Sequence, residues 1–167
     1  MTTKPVPKSP IGVFDSGLGG LTVLIALEKM LPNESFLYFG DTAHVPYGNK
    51  SANTVARYSH EIIEFFLMHN TKAVVIACNT ASAVAFKDLR NSYKIPLFDV
   101  VAPSVAHSNN ISKTRSIGVI GTHSTIYSGA YTQAFSNLKS DCCVNEIACP
   151  LFVPIIEEGW SDTTVAK

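Results

Sequence analysis

The stretch A-V-V-I-A-C-N-T-A-S, residues 73–82, joins an uninterrupted apolar run to a polar turn that contains one cysteine. Short apolar runs between turn signals are typical of strands that are buried on both faces. A helical pattern follows at about residues 80–93. The stretch therefore predicts a strand, a sharp turn and a helix, with Cys78 at the point where the strand ends and the helix begins.

The same alternation of strand and helix recurs along the chain. Strands are predicted at residues 11–15, 35–39, 73–77, 95–101, 116–120 and 142–148. Helices are predicted at about residues 21–31, 51–70, 80–93 and 125–137, with a short one near Pro103. Strands that alternate with helices predict an α/β fold, in which mostly parallel sheets are flanked by helices. The apolar segment 150–158 gives no clear assignment.

Ligands of open parallel sheets bind beyond the carboxyl ends of the strands, so the residues at those ends are candidate site residues. They are Asp15, Ser16, Asp41, Thr42, Cys78, Asn79, Thr80, Asp99, Gly121 and Thr122. Most of them are small polar groups, and one is a thiol. Such a set predicts a cleft for a small molecule.

Cys78 has two interpretations that its position alone does not separate. A helix N-terminus lowers the pKa of a thiol from about 8.5 toward neutrality, which would make Cys78 a reactive thiolate. The alternative is an inert buried cysteine, the commonest fate of a lone one. Asp15, at a neighbouring strand end, is a candidate auxiliary base or a partner for an ammonium group.

The composition excludes several classes of partner. The 167 residues are 46% hydrophobic, and 13 basic residues balance 13 acidic ones, so neither a nucleic acid nor a membrane surface is expected as a partner. The glycine-rich turn at residues 15–20 lacks the third glycine of a dinucleotide fingerprint and the lysine of a P-loop. The polar segment 1–10 is expected to be a loose arm rather than a signal peptide.

The four cysteines form no C-x-x-C pair and are followed by no matching histidine pair. We therefore expect no disulfide framework and no metal site, and we expect a cytoplasmic protein with reduced thiols. Cys142, Cys143 and Cys149 are predicted to be core residues of a late strand.

Three motifs, in this order, resemble those of the glutamate racemases, which belong to the aspartate/glutamate racemase superfamily. They are I-G-V-F-D-S-G-L-G-G-L-T-V-L (residues 11–24), Y-F-G-D-T-A-H-V-P-Y-G (38–48) and V-I-A-C-N-T-A-S-A (75–83). The resemblance implies an isomerase that interconverts L- and D-glutamate without a cofactor or metal. It also implies a supply of D-glutamate for peptidoglycan, and dimers are common in that family.

The resemblance also implies roles for individual residues. The family uses two cysteines on opposite sides of the substrate α-carbon, one removing a proton while the other returns one. Cys78 matches the first of them, and Asp15 matches the acidic residue beside it. The residues implied to contact the substrate are Asp15, Ser16, Tyr47, Gly48, Asn79, Thr80 and Thr122.

The sequence departs from the family pattern in one respect. The second cysteine of the family lies in a G-C-T-H-Y-P-like motif that these 167 residues do not contain, and Cys142, Cys143 and Cys149 do not match it. We expect an incomplete first α/β domain at residues 10–102 and the beginning of a similar second domain at 103–167. The rest of the second domain and the C-terminal return to the first would be truncated. Such a chain is expected to be inactive alone.

Two other functions remain open from the sequence. One is a cysteine hydrolase or amidase, with Cys78 as nucleophile and a histidine such as His44 or His123 as base. The other is a non-catalytic fragment that binds glutamate. Physical reasoning from the sequence does not decide between glutamate and aspartate as the substrate.

Overall fold

The computed structural model describes residues 9–164 and residue 166, so most of the predicted loose arm lies outside the described residues. The described strands are β1 (Ile11–Asp15), β2 (Phe36–Gly40), β3 (Ala73–Ile76), β4 (Leu97–Phe98), β5 (Ser116–Gly121) and β6 (Cys143–Ala148). The described helices are α1 (Leu21–Met30), α2 (Ala52–Met68), α3 (Asn79–Ser92), α4 (Val101–Ile111), α5 (His123–Tyr127), α6 (Ala130–Asn137) and α7 (Phe152–Glu157). A single turn of 3-10 helix spans Tyr47–Asn49.

All strand pairs are parallel, which confirms the predicted α/β class. One sheet has the order β2-β1-β3-β4, and β5 and β6 form a second sheet. In the first sheet, Phe14 of β1 is paired with Phe39 of β2 and with Ile76 of β3. The carboxyl ends of these strands therefore meet at one edge.

The core of the first sheet is packed so tightly that position 12 in β1 must be a glycine. Phe66 of α2 is fully buried and lies over β1 beside Phe39, with the two rings edge to face. A Cβ atom built at Gly12 would lie 2.8 Å from the Phe66 ring, so a larger residue does not fit there. Other buried members of this core are Phe14, Val55, Ile62, Ile63, Val74, Ile76, Ala81, Ala85 and Leu89.

A second, smaller core lies beside the β5–β6 sheet. Val101 and Val105 of α4 are buried together with Phe135 of α6, and Ile117 and Val144 pack against them. The predicted boundary between residues 102 and 103 falls inside α4, and the division into domains remains a prediction.

The fourth strand is shorter than predicted, and the helix after it is longer. Only Leu97–Phe98 pairs with β3, whereas the prediction covered residues 95–101. The N–H of Ala102 donates a hydrogen bond of 2.8 Å to Oδ1 of Asp99, which turns the chain into α4. The apolar residues Val100 and Val101 were therefore wrongly read as strand, because they belong to a helix start.

The single helix predicted at residues 125–137 is two helices. Gly129 lies between them with a φ of 65°, in the left-handed region that only glycine adopts without strain. The first of them, α5, begins earlier than predicted because Oγ1 of Thr122 accepts the N–H of Thr125 at 3.2 Å and caps it.

Cys143, the first residue of β6, was predicted to be a core residue, and this prediction is wrong. Cys143 is exposed, while Cys142 and Cys149 are half-buried. The cause is that α4 and α6 cover only one face of the β5–β6 sheet, and Ile120 and Ile147 are exposed as well. Helix α1 has no buried residue either, although it is apolar. No helix in the described part of the chain has the length and apolarity needed to cross a membrane.

We predict that Phe66→Ala lowers the free energy of unfolding by about 3–5 kcal/mol, because it leaves a cavity under β1 that the backbone at Gly12 cannot fill. Phe98→Ala is the matched control, since Phe98 is 56% exposed on the edge strand β4. It is expected to change stability by less than about 0.5 kcal/mol. Urea unfolding followed by circular dichroism measures both, and equal losses would contradict this description of the core.

Candidate active site

One cavity of about 480 Å³ opens at the carboxyl ends of β1, β3 and β5. The residues predicted for the site all line it: Asp15, Ser16, Tyr47, Gly48, Cys78, Asn79, Thr80 and Thr122. Of the other strand-end candidates, Gly121 lines the cavity, Asp41 lies behind Tyr47, and Thr42 and Asp99 are not part of the lining. The structure therefore brings the predicted residues together in one cavity.

Asp15 is fixed by the turn that joins β1 to α1. Its Oδ2 atom accepts the N–H of Gly17 at 3.1 Å and the N–H of Gly20 at 3.0 Å. A Cβ atom built at Gly20 would lie 2.5 Å from Cβ of Asp15, so a larger residue would push the carboxylate away.

The other carboxylate oxygen of Asp15 is not fully buried. Oδ1 has no hydrogen-bond partner among the described residues, although Asp15 is only 8% exposed. Every fully buried side-chain oxygen and nitrogen in residues 9–164 and 166 does have a partner. Oδ1 therefore retains some accessibility, and Asp15 is one of the residues that line the cavity.

Cys78 is the N-cap residue of α3, as predicted. Its Sγ accepts the N–H of Ala81 at 3.4 Å and donates its proton to Oγ of Ser16 at 3.5 Å. The residue is 4% exposed, and that small exposed part belongs to the cavity lining.

The pKa of the Cys78 thiol is raised, which is opposite to the predicted effect of the helix terminus. Burial is the largest cause, and the negative charge of Asp15 is the second. Hydrogen bonds from Ser16 and Ala81 stabilise the thiolate and offset these effects only in part. The sequence predicted the helix position correctly, but it could not show how deeply the sulfur is buried. Burial and the charge of Asp15 therefore favour the neutral thiol form of Cys78.

Tyr47 forms a wall of the cavity, and its hydroxyl points away from it. The hydroxyl donates a hydrogen bond of 2.6 Å to Oδ2 of Asp41, and His44 Nδ1 lies 2.8 and 3.0 Å from the two oxygens of the same carboxylate. Burial, followed by this hydrogen bond, raises the pKa of Tyr47. The part of Tyr47 available to a ligand is then its ring and its backbone.

Three threonine hydroxyls connect the two sheets at the cavity. The Oγ1 atoms of Thr80, Thr122 and Thr125 are 3.0–3.2 Å apart and form a triangle between the start of α3 and the start of α5. Gly48 packs against this triangle, since a Cβ atom built there would lie 2.4 Å from Cγ2 of Thr122. Asn79 lies at the exposed side, where its Oδ1 accepts the hydroxyl of Tyr131 at 2.6 Å.

Two potentially reactive side chains of the lining were missed from the sequence. They are Glu157, from the segment 150–158 that had no assigned element, and Cys149, which was predicted to be a core residue of a late strand. Oε1 of Glu157 lies 3.3 Å from where a Cβ atom would stand on Gly17. Burial, then the charges of Asp15 and Glu158, raise the pKa of Glu157. No helical period of apolar residues marked this segment, because α7 is short and contains Pro154.

The lining contains two carboxylates, Asp15 and Glu157, and no lysine, arginine or histidine from the part of the chain that the structure describes. His44 is bound to Asp41, and His123 is exposed and stacked on Tyr127. The hydrolase hypothesis therefore has no histidine base beside Cys78 among the described residues. Within the same residues, no group of three or more His, Cys, Asp or Glu side chains is arranged to hold a metal ion.

Comparison with known proteins identifies the family that this chain matches. Residues 11–167 match the Asp/Glu/hydantoin racemase family. The glutamate racemase of Geobacter metallireducens is 48% identical over 161 residues, which cover 96% of this chain and 60% of that protein. The chain thus spans about three fifths of the length of this relative.

Solved structures agree with the fold. The crystal structure of glutamate racemase from Thermus thermophilus, in complex with β-chloro-D-alanine, is 51% identical with a TM-score of 0.82 and covers 96% of this chain and 59% of that one. The crystal structure of glutamate racemase from Francisella tularensis, in complex with D-glutamate, is 39% identical with a TM-score of 0.87. The match covers 96% of this chain and 60% of that one.

We predict that Gly48→Ala lowers the free energy of unfolding by about 1–3 kcal/mol, because the new methyl group would overlap Thr122, a short branched residue that is held in the hydroxyl triangle. Gly118→Ala is the control, since a Cβ atom at Gly118 on β5 would have no heavy atom within 4 Å. Thermal unfolding of both variants measures the difference. An unchanged stability of Gly48→Ala would contradict the close contact between the two segments.

Proposed function

The chain belongs to the Asp/Glu/hydantoin racemase family, and from this premise we propose that it carries one half of a glutamate racemase site. In this half-site, Cys78 transfers the α-proton on one face of the substrate. The observation that carries the proposal is the position of Cys78 beside Asp15 at the edge of one parallel sheet, with its sulfur at the wall of the cavity.

The ligands of the two solved relatives support an amino-acid head group as the part that is recognised. D-Glutamate and β-chloro-D-alanine, named with those structures, share an ammonium group and a carboxylate on the α-carbon and differ in their side chains. We propose that this head group lies next to Cys78, with its ammonium toward Asp15.

No lysine, arginine or histidine of the described residues lines the cavity, so the carboxylates of glutamate are bound by neutral donors. The hydroxyls of Ser16, Thr80 and Thr122 line the cavity and are donors for them. The N-terminus of α3, which begins at Asn79, adds the positive end of a helix of 14 residues. Such donors bind carboxylates through directed hydrogen bonds.

The proton step uses the raised pKa of Cys78. A thiolate with a raised pKa is a stronger base, and a strong base suits the weakly acidic α-carbon. The ammonium group of a bound ligand opposes the charge of Asp15 and so favours the thiolate at the moment of binding. The thiol proton of Cys78 passes to water, which leaves the thiolate. The C–H bond then breaks, the α-proton moves to Sγ, and the electron pair moves into the α-carboxylate.

The acid on the opposite face is proposed to lie outside these 167 residues, in the family's G-C-T-H-Y-P-like motif. Cys149 is the other thiol that lines the cavity within the described residues, but its C-P-L-F-V-P context does not match that motif. We propose that the chain alone removes and returns the α-proton on one face and does not invert the configuration.

The cellular setting is proposed from the family. The complete enzyme would supply D-glutamate for peptidoglycan synthesis in the cytoplasm, without a cofactor or a metal ion, and a homodimer is its proposed assembly. The complete enzyme thereby contributes to cell-wall biogenesis and cell shape.

We predict that the chain in D₂O exchanges the α-proton of D-glutamate for deuterium and forms no L-glutamate. Proton NMR of the α-position measures the exchange, and chiral chromatography measures the configuration. Cys78→Ala is expected to reduce the exchange to the rate without protein, because it removes the base. Cys149→Ala is the matched control and should retain the exchange.

The outcomes separate the competing functions. Formation of L-glutamate that Cys149→Ala abolishes would contradict the placement of the second acid outside this chain. Binding of D-glutamate by the wild type without any exchange would contradict catalysis and favour a binding module. An acyl adduct on Cys78, seen by mass spectrometry with ester or amide substrates, would favour the hydrolase.

A further inference from the structure

We propose that Tyr131 is a positioning residue, which holds the side chain of Asn79 so that the amide N–H groups of Asn79 are donors for a carboxylate of the ligand. This inference rests on the proposed function and adds to it a residue of α6 for which the sequence predicted no role. Tyr131 acts through Asn79 and does not contact the reacting atoms.

Tyr131 is the second residue of α6, and the start of this helix is fixed from two sides. Gly129, with its φ of 65°, lets the chain leave α5 and begin α6. On β6, Oε1 of Glu146 accepts the N–H of Thr132 at 3.0 Å, in the first turn of α6. The ring of Tyr131 packs against the smaller core beside the β5–β6 sheet. The second sheet and its helices therefore determine where the Tyr131 hydroxyl lies.

The hydroxyl of Tyr131 connects the second sheet to the first. It donates a hydrogen bond of 2.6 Å to Oδ1 of Asn79, the first residue of α3. Both residues line the cavity. Burial is the largest cause that raises the pKa of Tyr131, followed by the charges of Asp99 and Glu146. The hydroxyl therefore keeps its proton at neutral pH and remains a donor.

This hydrogen bond determines which end of the Asn79 amide is presented to a ligand. Oδ1 and Nδ2 are the two ends of one planar group, so a partner that fixes Oδ1 fixes Nδ2 as well. Asn79 is exposed at the cavity, and nothing in the described part of the chain accepts a hydrogen bond from Nδ2. Its two N–H groups are available to a ligand, and a carboxylate, which only accepts hydrogen bonds, is the matching group.

A free amide at this position would bind a carboxylate less well. Without the Tyr131 hydroxyl, the exposed side chain of Asn79 would rotate and would also present its oxygen to the ligand. Ordering such a side chain on binding consumes part of the binding free energy, whereas a side chain that is already held in place avoids this loss. The lining has no cationic side chain among the described residues, so a neutral donor that is held in place matters more.

Tyr127 provides a matched control for Tyr131. It precedes Tyr131 by four residues, is 78% exposed, stacks on His123 and does not line the cavity. Tyr→Phe removes only a hydroxyl at either position. A general effect of losing a tyrosine hydroxyl in this region would be the same for both variants, whereas an effect on Asn79 would be found for Tyr131 alone.

The first experiment is isothermal titration of the 167-residue chain with D-glutamate. Tyr131→Phe should weaken binding about fivefold, because the Asn79 amide must then be ordered by the ligand. Tyr127→Phe should leave the affinity unchanged. Asn79→Ala should also weaken binding, and adding Tyr131→Phe to Asn79→Ala should cause no further loss, because Tyr131 acts only through Asn79.

The second experiment examines the amide itself, with Asn79→Asp as a further variant. The ¹H–¹⁵N signals of the Asn79 side-chain amide, assigned by their loss in Asn79→Ala, should shift in ligand-free Tyr131→Phe and stay in place in Tyr127→Phe. Asn79→Asp keeps an acceptor for the Tyr131 hydroxyl but replaces the N–H donors by an oxygen. It should therefore bind D-glutamate more weakly than Asn79→Ala does, because the new carboxylate repels those of the ligand.

Several results would overturn the inference. A further loss on adding Tyr131→Phe to Asn79→Ala would show that Tyr131 acts on the ligand or the fold directly, and an equal loss in Tyr127→Phe would indicate a general effect. Unshifted Asn79 signals in Tyr131→Phe, or wild-type affinity of Asn79→Asp, would contradict the positioned donor. If the wild type binds D-glutamate and exchanges its α-proton while Tyr131→Phe keeps full affinity, this inference fails alone. A wild type that neither binds nor exchanges D-glutamate overturns the proposed function as well.

Discussion

The parallel register between β1 and β3 is the constraint on which the site depends. Phe14 is paired with Ile76, so both strands end at the same level, and the next residues of each leave the sheet at one edge. Asp15 turns into the glycine-rich loop and Cys78 caps α3. A shift of this register would separate the thiol from the carboxylate. The core formed by Phe66 over Gly12 keeps β1 in place and thereby holds the two groups together.

The electrostatics of the cavity follow from this adjacency. A buried thiol next to a carboxylate stays neutral, because both burial and charge oppose a second negative group. A second carboxylate, Glu157, adds to the negative charge of the lining. The cavity is therefore suited to a ligand that brings its own positive charge, and its hydroxyls and helix terminus are suited to the carboxylates of the same ligand. Under the proposed function, binding of the ligand and activation of the thiol would be one event, since the ammonium group of the ligand would also favour the thiolate.

The sequence predicted the sheet edge well because strand ends and turns are local features. Asp15, Cys78 and Thr122 were placed at strand ends by pattern alone, and the structure puts them in one cavity. Other features of the site depend on tertiary contacts, which a local sequence pattern does not reveal. The pKa of Cys78 is raised mainly because the first turn of α3 is buried in the folded protein. The hydrogen bond from the Tyr47 hydroxyl to Asp41 forms only when the loop between them is folded. Glu157 was missed because its helix is short and is brought to the turn at Gly17 only by the fold.

The most direct test of this account is the titration of Cys78 itself, followed by NMR of ¹³Cβ-labelled cysteine and assigned with Cys78→Ala. The account predicts that the pKa of Cys78 lies above that of a free cysteine thiol. It also predicts that Asp15→Asn lowers this pKa, because the charge is removed while the amide oxygen can still accept the N–H groups of Gly17 and Gly20. Burial should keep the pKa in the variant above the free value. A pKa of Cys78 at or below that of free cysteine, or no change in Asp15→Asn, would contradict the proposed pairing of thiol and carboxylate.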